Sequence, residues 1–186
     1  KYSRLKERLL RFQELFVKEY NIPQNAILYE DTGGRGYHIW LFFSDGLDGE
    51  AAVAFHEILK RQLSFDFEFF PKQSRIGERR KFGNLVKLPL GIHQKYFSRS
   101  VFFKLIHEKP QYLESLVDNM KHLCQMTKLT SKELDIIIKE RSDINNVTGI
   151  NKIYPDDLRH EQRVLYRQDF QFLFDHCTAL RKLKIK

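Results

Sequence analysis

Residues 26–43 read AILYEDTGGRGYHIWLFF, and the organisation of the rest of the chain follows from this stretch. Residues 26–30 are apolar up to a final glutamate and spell a short strand, and residues 37–43 spell a second, apolar one. Between them Asp31 and Thr32 precede Gly33, Gly34 and Gly36, which punctuate a turn. The prediction is a β-hairpin with a specialised loop. Glycine lets the backbone take positive φ and approach a ligand closely, with amides free to meet an anion. Arg35 adds a planar cation, and His38 adds a ring nitrogen at the start of the second strand. The same residues also suit a plain hairpin loop whose histidine packs beside Trp40. No Gly-Lys-Ser/Thr follows the glycines and no GxGxxG is present, so neither common phosphate-loop signature applies.

Working outward, Leu5, Leu9, Phe12 and Phe16 recur at helical spacing, and Asn21-Ile22-Pro23 ends that helix. Downstream, Ala51, Phe55, Ile58 and Leu59 predict a helix over 49–63. Residues 65–70 alternate with period two, which predicts a strand with Phe65, Phe67 and Phe69 inward and Asp66, Glu68 and Phe70 outward. Residues 84–88 and 100–105 read as further strands, so the first hundred residues are α+β. After Pro110 the texture becomes helical: Leu113, Leu116, Val117, Met120, Leu123 and Cys124 share one face. Thr130 and Glu133 form a capping box ahead of Leu134, Ile137 and Ile138. A polar stretch over 142–157 then leads to a last helix with Tyr166, Phe170, Leu173, Cys177 and Leu180. The expected division is a core over residues 1–108 and a helical region over 109–186, without internal repeats or low-complexity segments.

Composition sets the outer bounds. With 42% hydrophobic and 30% charged residues in 186, the chain has the make-up of a globular protein. Its 32 Lys+Arg against 24 Asp+Glu give a net charge of +8 and a pI near 9.4, which favours polyanionic partners and equally suits a merely basic protein. Cys124 and Cys177 form no CxxC pair, and there is neither a secretory leader nor an apolar run long enough for a bilayer. The expectation is a reduced, cytoplasmic setting with no membrane partner. Because Lys1 rather than methionine comes first and a helical pattern is already running at Tyr2, a longer parent chain with further domains is expected.

Two more clusters carry chemistry. Asp66 and Glu68 lie two residues apart, roughly 7 Å along a strand, where both can reach one divalent cation; a solvated face has the same pattern. Metal-assisted phosphoryl transfer uses such oxygen donors beside a phosphate-binding loop. In residues 83–93, GNLVKLPLGIH, Lys87 interrupts an apolar run that ends in a Pro-Gly turn and His93. A lysine there needs an anion, for which a phosphate serves, or an edge with a route to solvent. The other histidines lack metal-ligand spacing, and Cys177 suits a buried thiol.

In their order and spacing these clusters resemble the archaeo-eukaryotic primase superfamily, particularly the primase-polymerase domains found with bacterial defence and CRISPR-type systems. Residues 34–40, GRGYHIW, resemble its SGxGxHhW motif; residues 68–73, EFFPKQ, look like (D/E)hFPxQ; and residues 83–90 are similar to GNhhxLPL. The resemblance spans residues 27–103. It implies a primase-like, RRM-related mixed sheet with flanking helices, and a nucleotidyltransferase that joins nucleoside triphosphates on a single-stranded or primed DNA or RNA template. It also implies Glu68, with Asp66 second, as catalytic carboxylates and ligands of Mg2+ or Mn2+. Arg35, Gly36, His38, Lys87 and His93 are then the nucleotide contacts. Thr32 or Gly33 stands where the family has serine, and no DxD strand is found between Lys1 and Ala26. That pair is expected before Lys1; otherwise the chain is a noncatalytic module holding nucleotide or single-stranded nucleic acid. A nuclease using Asp66 and Glu68 ranks last, because Lys72 falls four residues after Glu68 and no carboxylate-x-lysine arrangement results. Lys128, Lys132, Lys139 and Arg141 can track a template backbone or simply solvate a helix.

Overall fold

A computed structural model of the chain describes residues 2–75, 83 and 85–143. It is an α+β protein whose described residues fall into two compact units. The first combines Lys1–Phe42 with Lys87–Lys128, and the second combines Phe43–Val86 with Leu129–Lys186. The last predicted helix, with Tyr166 to Leu180, lies outside the described residues.

In the first unit, α1 (Tyr2–Glu14) runs on into a π-helical turn over Leu15–Glu19 that buries Leu15 and Phe16. Asn21 takes a left-handed φ of +55°, and the next amide, Ile22 N–H, returns to the Phe16 carbonyl at 2.8 Å. Asparagine tolerates that conformation, and the returning amide satisfies a carbonyl that the ending helix leaves free. β1 (Ile27–Asp31) and β2 (Tyr37–Leu41) form the predicted hairpin, with Glu30 opposite His38 and Leu28 opposite Trp40. β1 also pairs with β5 (Val101–Ile106), which pairs with β6 (Lys109–Tyr112), giving an antiparallel sheet ordered β2-β1-β5-β6. On one face Tyr29 stacks on Phe103, which Tyr37 and Tyr112 also contact, with centroids 5.4–5.7 Å away. Glu30, His38 and Trp40 stand on the other face, because strand side chains alternate. A separate small hairpin is made by β3 (Ile92–His93) and β4 (Ser98–Arg99).

Beyond Pro110 the chain is not purely helical. β6 occupies Lys109–Tyr112, entered through His107 and Glu108 at φ +46° and +61°. Two successive left-handed residues turn a hairpin tightly, and neither residue is glycine or asparagine, so the turn carries none of the usual signal. Proline at 110 is compatible with an edge strand, where a missing N–H faces solvent. α3 (Leu116–Cys124) follows, capped by Ser115 accepting from the Asp118 amide. The expected apolar face is only partly inward: Leu123 is buried, while Leu116 and Val117 are exposed. Asn119 sets this rotation. It is buried, accepts from Phe102 N–H at 2.6 Å, and donates to the Leu113 and Ser115 carbonyls at 2.6 and 2.8 Å.

The second unit pairs α2 (Gly49–Gln62), capped by Asp48, with α4 (Ser131–Asp143). Phe55, Ile58 and Leu59 of one helix and Leu134, Ile137 and Ile138 of the other are buried. The predicted capping box is present: the Thr130 amide donates to Glu133 at 2.6 Å and the Glu133 amide to Thr130 Oγ1 at 3.2 Å. Two predicted strands are corrected. Residues 65–70 alternate in exposure as expected but join no sheet among the described residues. Phe69 instead stacks on His56 of α2 at 4.6 Å and meets Phe55 edge-on, and Phe67 is edge-on to His56. Period-two alternation reports extended backbone with unlike faces, and a helix has taken the place of a neighbouring strand. Residues 85–88 form no strand either; Leu85 and Leu88 are exposed, and Asn84 lies outside the described residues.

Candidate functional site

In the first unit, the turn over residues 32–36 joins β1 to β2, and most of its polar groups satisfy one another. Thr32 closes it by donating from both its amide and Oγ1 to the Gly36 carbonyl, at 3.1 and 2.9 Å. Gly33 N–H goes to Asp31 Oδ1 at 3.0 Å and Gly34 N–H to Thr32 Oγ1 at 3.3 Å. Those two amides are therefore not free for an anion. Gly33 has φ +68°, and a Cβ there would sit 2.8 Å from Ser98 Oγ; one on Gly34 would sit 2.7 Å from the His93 ring. These glycines let the β3–β4 hairpin pack against the turn. Gly36 differs, with nothing within 4 Å of its notional Cβ.

The five residues predicted to touch nucleotide gather around this turn or on the strand it opens. Arg35 is exposed, donates from Nε to Tyr96 Oη at 2.7 Å and lies over the Tyr96 ring. His93 lies against Gly34 and Tyr96, and its Nδ1 accepts from the Lys95 amide at 3.3 Å. Lys87 stands in an irregular segment rather than a strand, and its ammonium donates to the Thr32 carbonyl at 3.0 Å. A backbone oxygen thus supplies the partner that the sequence left open. His38 is the second residue of β2, and its Nδ1 lies 3.1 Å from Glu30 Oε2.

Glu30 is the residue that the sequence reading missed. Its side chain is 0% exposed, and Oε2 accepts from both His38 Nδ1 and Trp40 Nε1, the latter at 2.8 Å. Its Oε1 accepts from Leu90 N–H at 3.1 Å. Burial pushes the carboxyl pKa upward, but hydrogen bonds from His38, Ser100, Trp40 and Leu90 more than offset it and hold the group below the ordinary glutamate value. The available signal was an acidic residue on an otherwise apolar strand, facing a histidine across a hairpin.

Asp66 and Glu68 belong to the second unit and are exposed. Asp66 lines a cavity of about 300 Å³ with His56, Lys60, Phe65 and Phe67. Burial lowers the His56 pKa. Glu68 pairs with Lys72 at 3.1 Å, so a cation binding there has a resident competitor. Among the described residues no three His, Cys, Asp or Glu side chains converge to hold a metal ion. The two carboxylates fit a shared divalent ion only as a partial ligand set, since such ions take about six oxygens. No described helix is long and apolar enough to cross a membrane.

A family model described as the archaeo-eukaryotic primase domain of the TOTE conflict system matches residues 3–137. The match covers well over half of the 186 residues. No curated protein matches the chain.

Proposed function

The chain belongs to the archaeo-eukaryotic primase family of TOTE conflict systems, and from that premise we propose that it handles nucleoside triphosphates for template-directed phosphodiester formation. Arg35, Gly36, His38, Lys87 and His93 contact the triphosphate in this reading. The supporting observation is their gathering around one turn in the first unit, with His38 anchored through Nδ1. With Nδ1 committed to Glu30, Nε2 is the nitrogen left for a ligand; when protonated, it donates to a phosphate oxygen. A terminal hydroxyl of DNA or RNA attacks the α-phosphate and gives up its proton to solvent; its oxygen bonds to the α-phosphorus as the bond from that phosphorus to the α,β-bridging oxygen breaks, and pyrophosphate leaves.

Primase domains of this superfamily generally use divalent metal ions, which neutralise charge developing on the phosphates. We assign Asp66 and Glu68 to Mg2+ or Mn2+ as two of its ligands. Isothermal titration of ATP and of dATP in the presence of Mn2+ tests the phosphate site. His38→Ala is expected to weaken binding about tenfold, the scale of one charge-assisted contact of ~1.4 kcal/mol. Equal affinities would overturn the assignment.

A noncatalytic single-strand binder is the second reading, favoured by one feature of the β3–β4 hairpin. Phe97 is 85% exposed beside Tyr96 and Lys95, a combination on which unpaired bases stack. Oligonucleotide binding without any extension of a primed template would select it.

A further inference from the structure

Glu30 touches neither nucleotide nor metal in the reaction outlined above and enters it only through His38, yet it is the most completely buried carboxylate among the described residues. Withdrawing a carboxylate from water costs several kcal/mol, and apolar packing of similar volume would hold a sheet as well or better. Its partners are donors on every side: a ring N–H of β2, an indole N–H two residues further on, a backbone N–H from the turn before β3, and the Ser100 hydroxyl. A carboxylate only accepts, so the His38 nitrogen facing it must carry the proton. No described residue hydrogen-bonds His38 Nε2, and the histidine side chain is 36% exposed.

The third partner extends the arrangement. Leu90 is buried and has φ +61°, a conformation that a branched residue adopts only when its surroundings hold it there. Its N–H is fixed by Glu30 Oε1 and its carbonyl by Arg99 Nη1 at 3.0 Å. The turn so fixed runs from Leu88 to Gly91, directly after Lys87, with Gly91 N–H returning to the Leu88 carbonyl at 3.2 Å. One carboxylate therefore holds both the histidine on β2 and the turn beside the lysine.

We propose that Glu30 is a positioning residue: it fixes His38 as the Nδ1–H tautomer and turns Nε2 toward the ligand side. The consequence for nucleotide rests on the phosphate role of His38, whereas the consequence for the tautomer does not. Glutamine is the informative replacement. Whichever way its amide is turned, the NH2 meets either Leu90 N–H or the His38 and Trp40 donors. The imidazole relieves the second clash by moving its proton to Nε2 and accepting at Nδ1.

Long-range 1H–15N spectra of histidine-labelled protein at mildly alkaline pH read the tautomer directly. The wild type is expected to show His38 protonated at Nδ1, and Glu30→Gln to move the population toward Nε2–H. Trp40→Phe, which removes the other side-chain donor to Oε2, is expected to lower thermal stability and keep the Nδ1–H signature. For nucleotide, His38 must be the imidazolium to offer Nδ1–H to Glu30 and Nε2–H to a phosphate together. Glu30→Gln removes the carboxylate facing that charge and should weaken ATP binding on the order of tenfold, the scale for losing a residue that orients another, and should add nothing in a His38→Ala background. An Nε2–H signature in the wild type overturns the proposal even if Glu30→Gln does not fold. So does a tautomer unchanged in a folded Glu30→Gln, one shifted equally by Trp40→Phe, or an affinity loss that persists without His38. If His38→Ala leaves affinity unchanged, the phosphate role fails, and the tautomer still decides the role of Glu30.

Discussion

At the scale of single residues, glycines that look equivalent in sequence have different neighbours. Gly33 needs its left-handed φ and stands against Ser98, whereas Gly36 faces open space. Gly33→Ala is expected to lower stability by roughly 2 to 4 kcal/mol, combining left-handed strain with overpacking. Gly36→Ala should leave urea unfolding unchanged, and any loss of ATP affinity it causes then reports on the open side of the turn. Glu30 adds a pH dependence. Its folded pKa lies below the ordinary value, so its hydrogen-bonded charge stabilises the fold above the ordinary glutamate pKa, about 4.3, and that contribution is lost as pH falls through the depressed folded value. Stability against pH should therefore decline on the acid side in wild type and decline less in Glu30→Gln.

Among elements, the ends of helices proved easier to read than the partners of strands. The capping box at Thr130 and Glu133 is a local pattern and folds as written; Thr130→Ala should cost about 1 kcal/mol in thermal unfolding. The β1–β2 hairpin was legible because its glycines mark the turn. The β5–β6 hairpin was not, because His107 and Glu108 adopt turn geometry against their usual preference. Residues 65–70 announce an extended backbone truthfully, but nothing local in them says that α2 rather than a strand receives their aromatic rings. The orientation of α3 likewise depends on a polar residue, Asn119, serving backbone groups distant in sequence. Asn119→Ala should destabilise the chain by roughly 2 to 4 kcal/mol, since it orphans buried groups at Phe102 and Leu113, whereas Val117→Ala on the exposed side should be close to neutral.

For the molecule as a whole, charge is unevenly spread along the chain. From Gly83 to His107 there is no Asp or Glu, while Lys87, Lys95, Arg99 and Lys104 all fall within it. If nucleic acid is the partner, binding of a single-stranded oligonucleotide should weaken steeply with salt, and Lys95→Ala should reduce the slope of log affinity against log salt by roughly one. A slope unchanged by that substitution would remove the hairpin from the interface. The order of the sheet has a separate consequence for biosynthesis. β1 lies between β2, its immediate successor, and β5, and Glu30 meets the Leu90 amide across 60 residues of sequence. On a ribosome the first hairpin emerges with its central carboxylate still wet and one strand edge unclaimed, and it must wait for the chain through β5 before that edge is sealed. A nascent chain stalled just after β2 should therefore be protease-sensitive, and acquire protection only once β5 has cleared the exit tunnel.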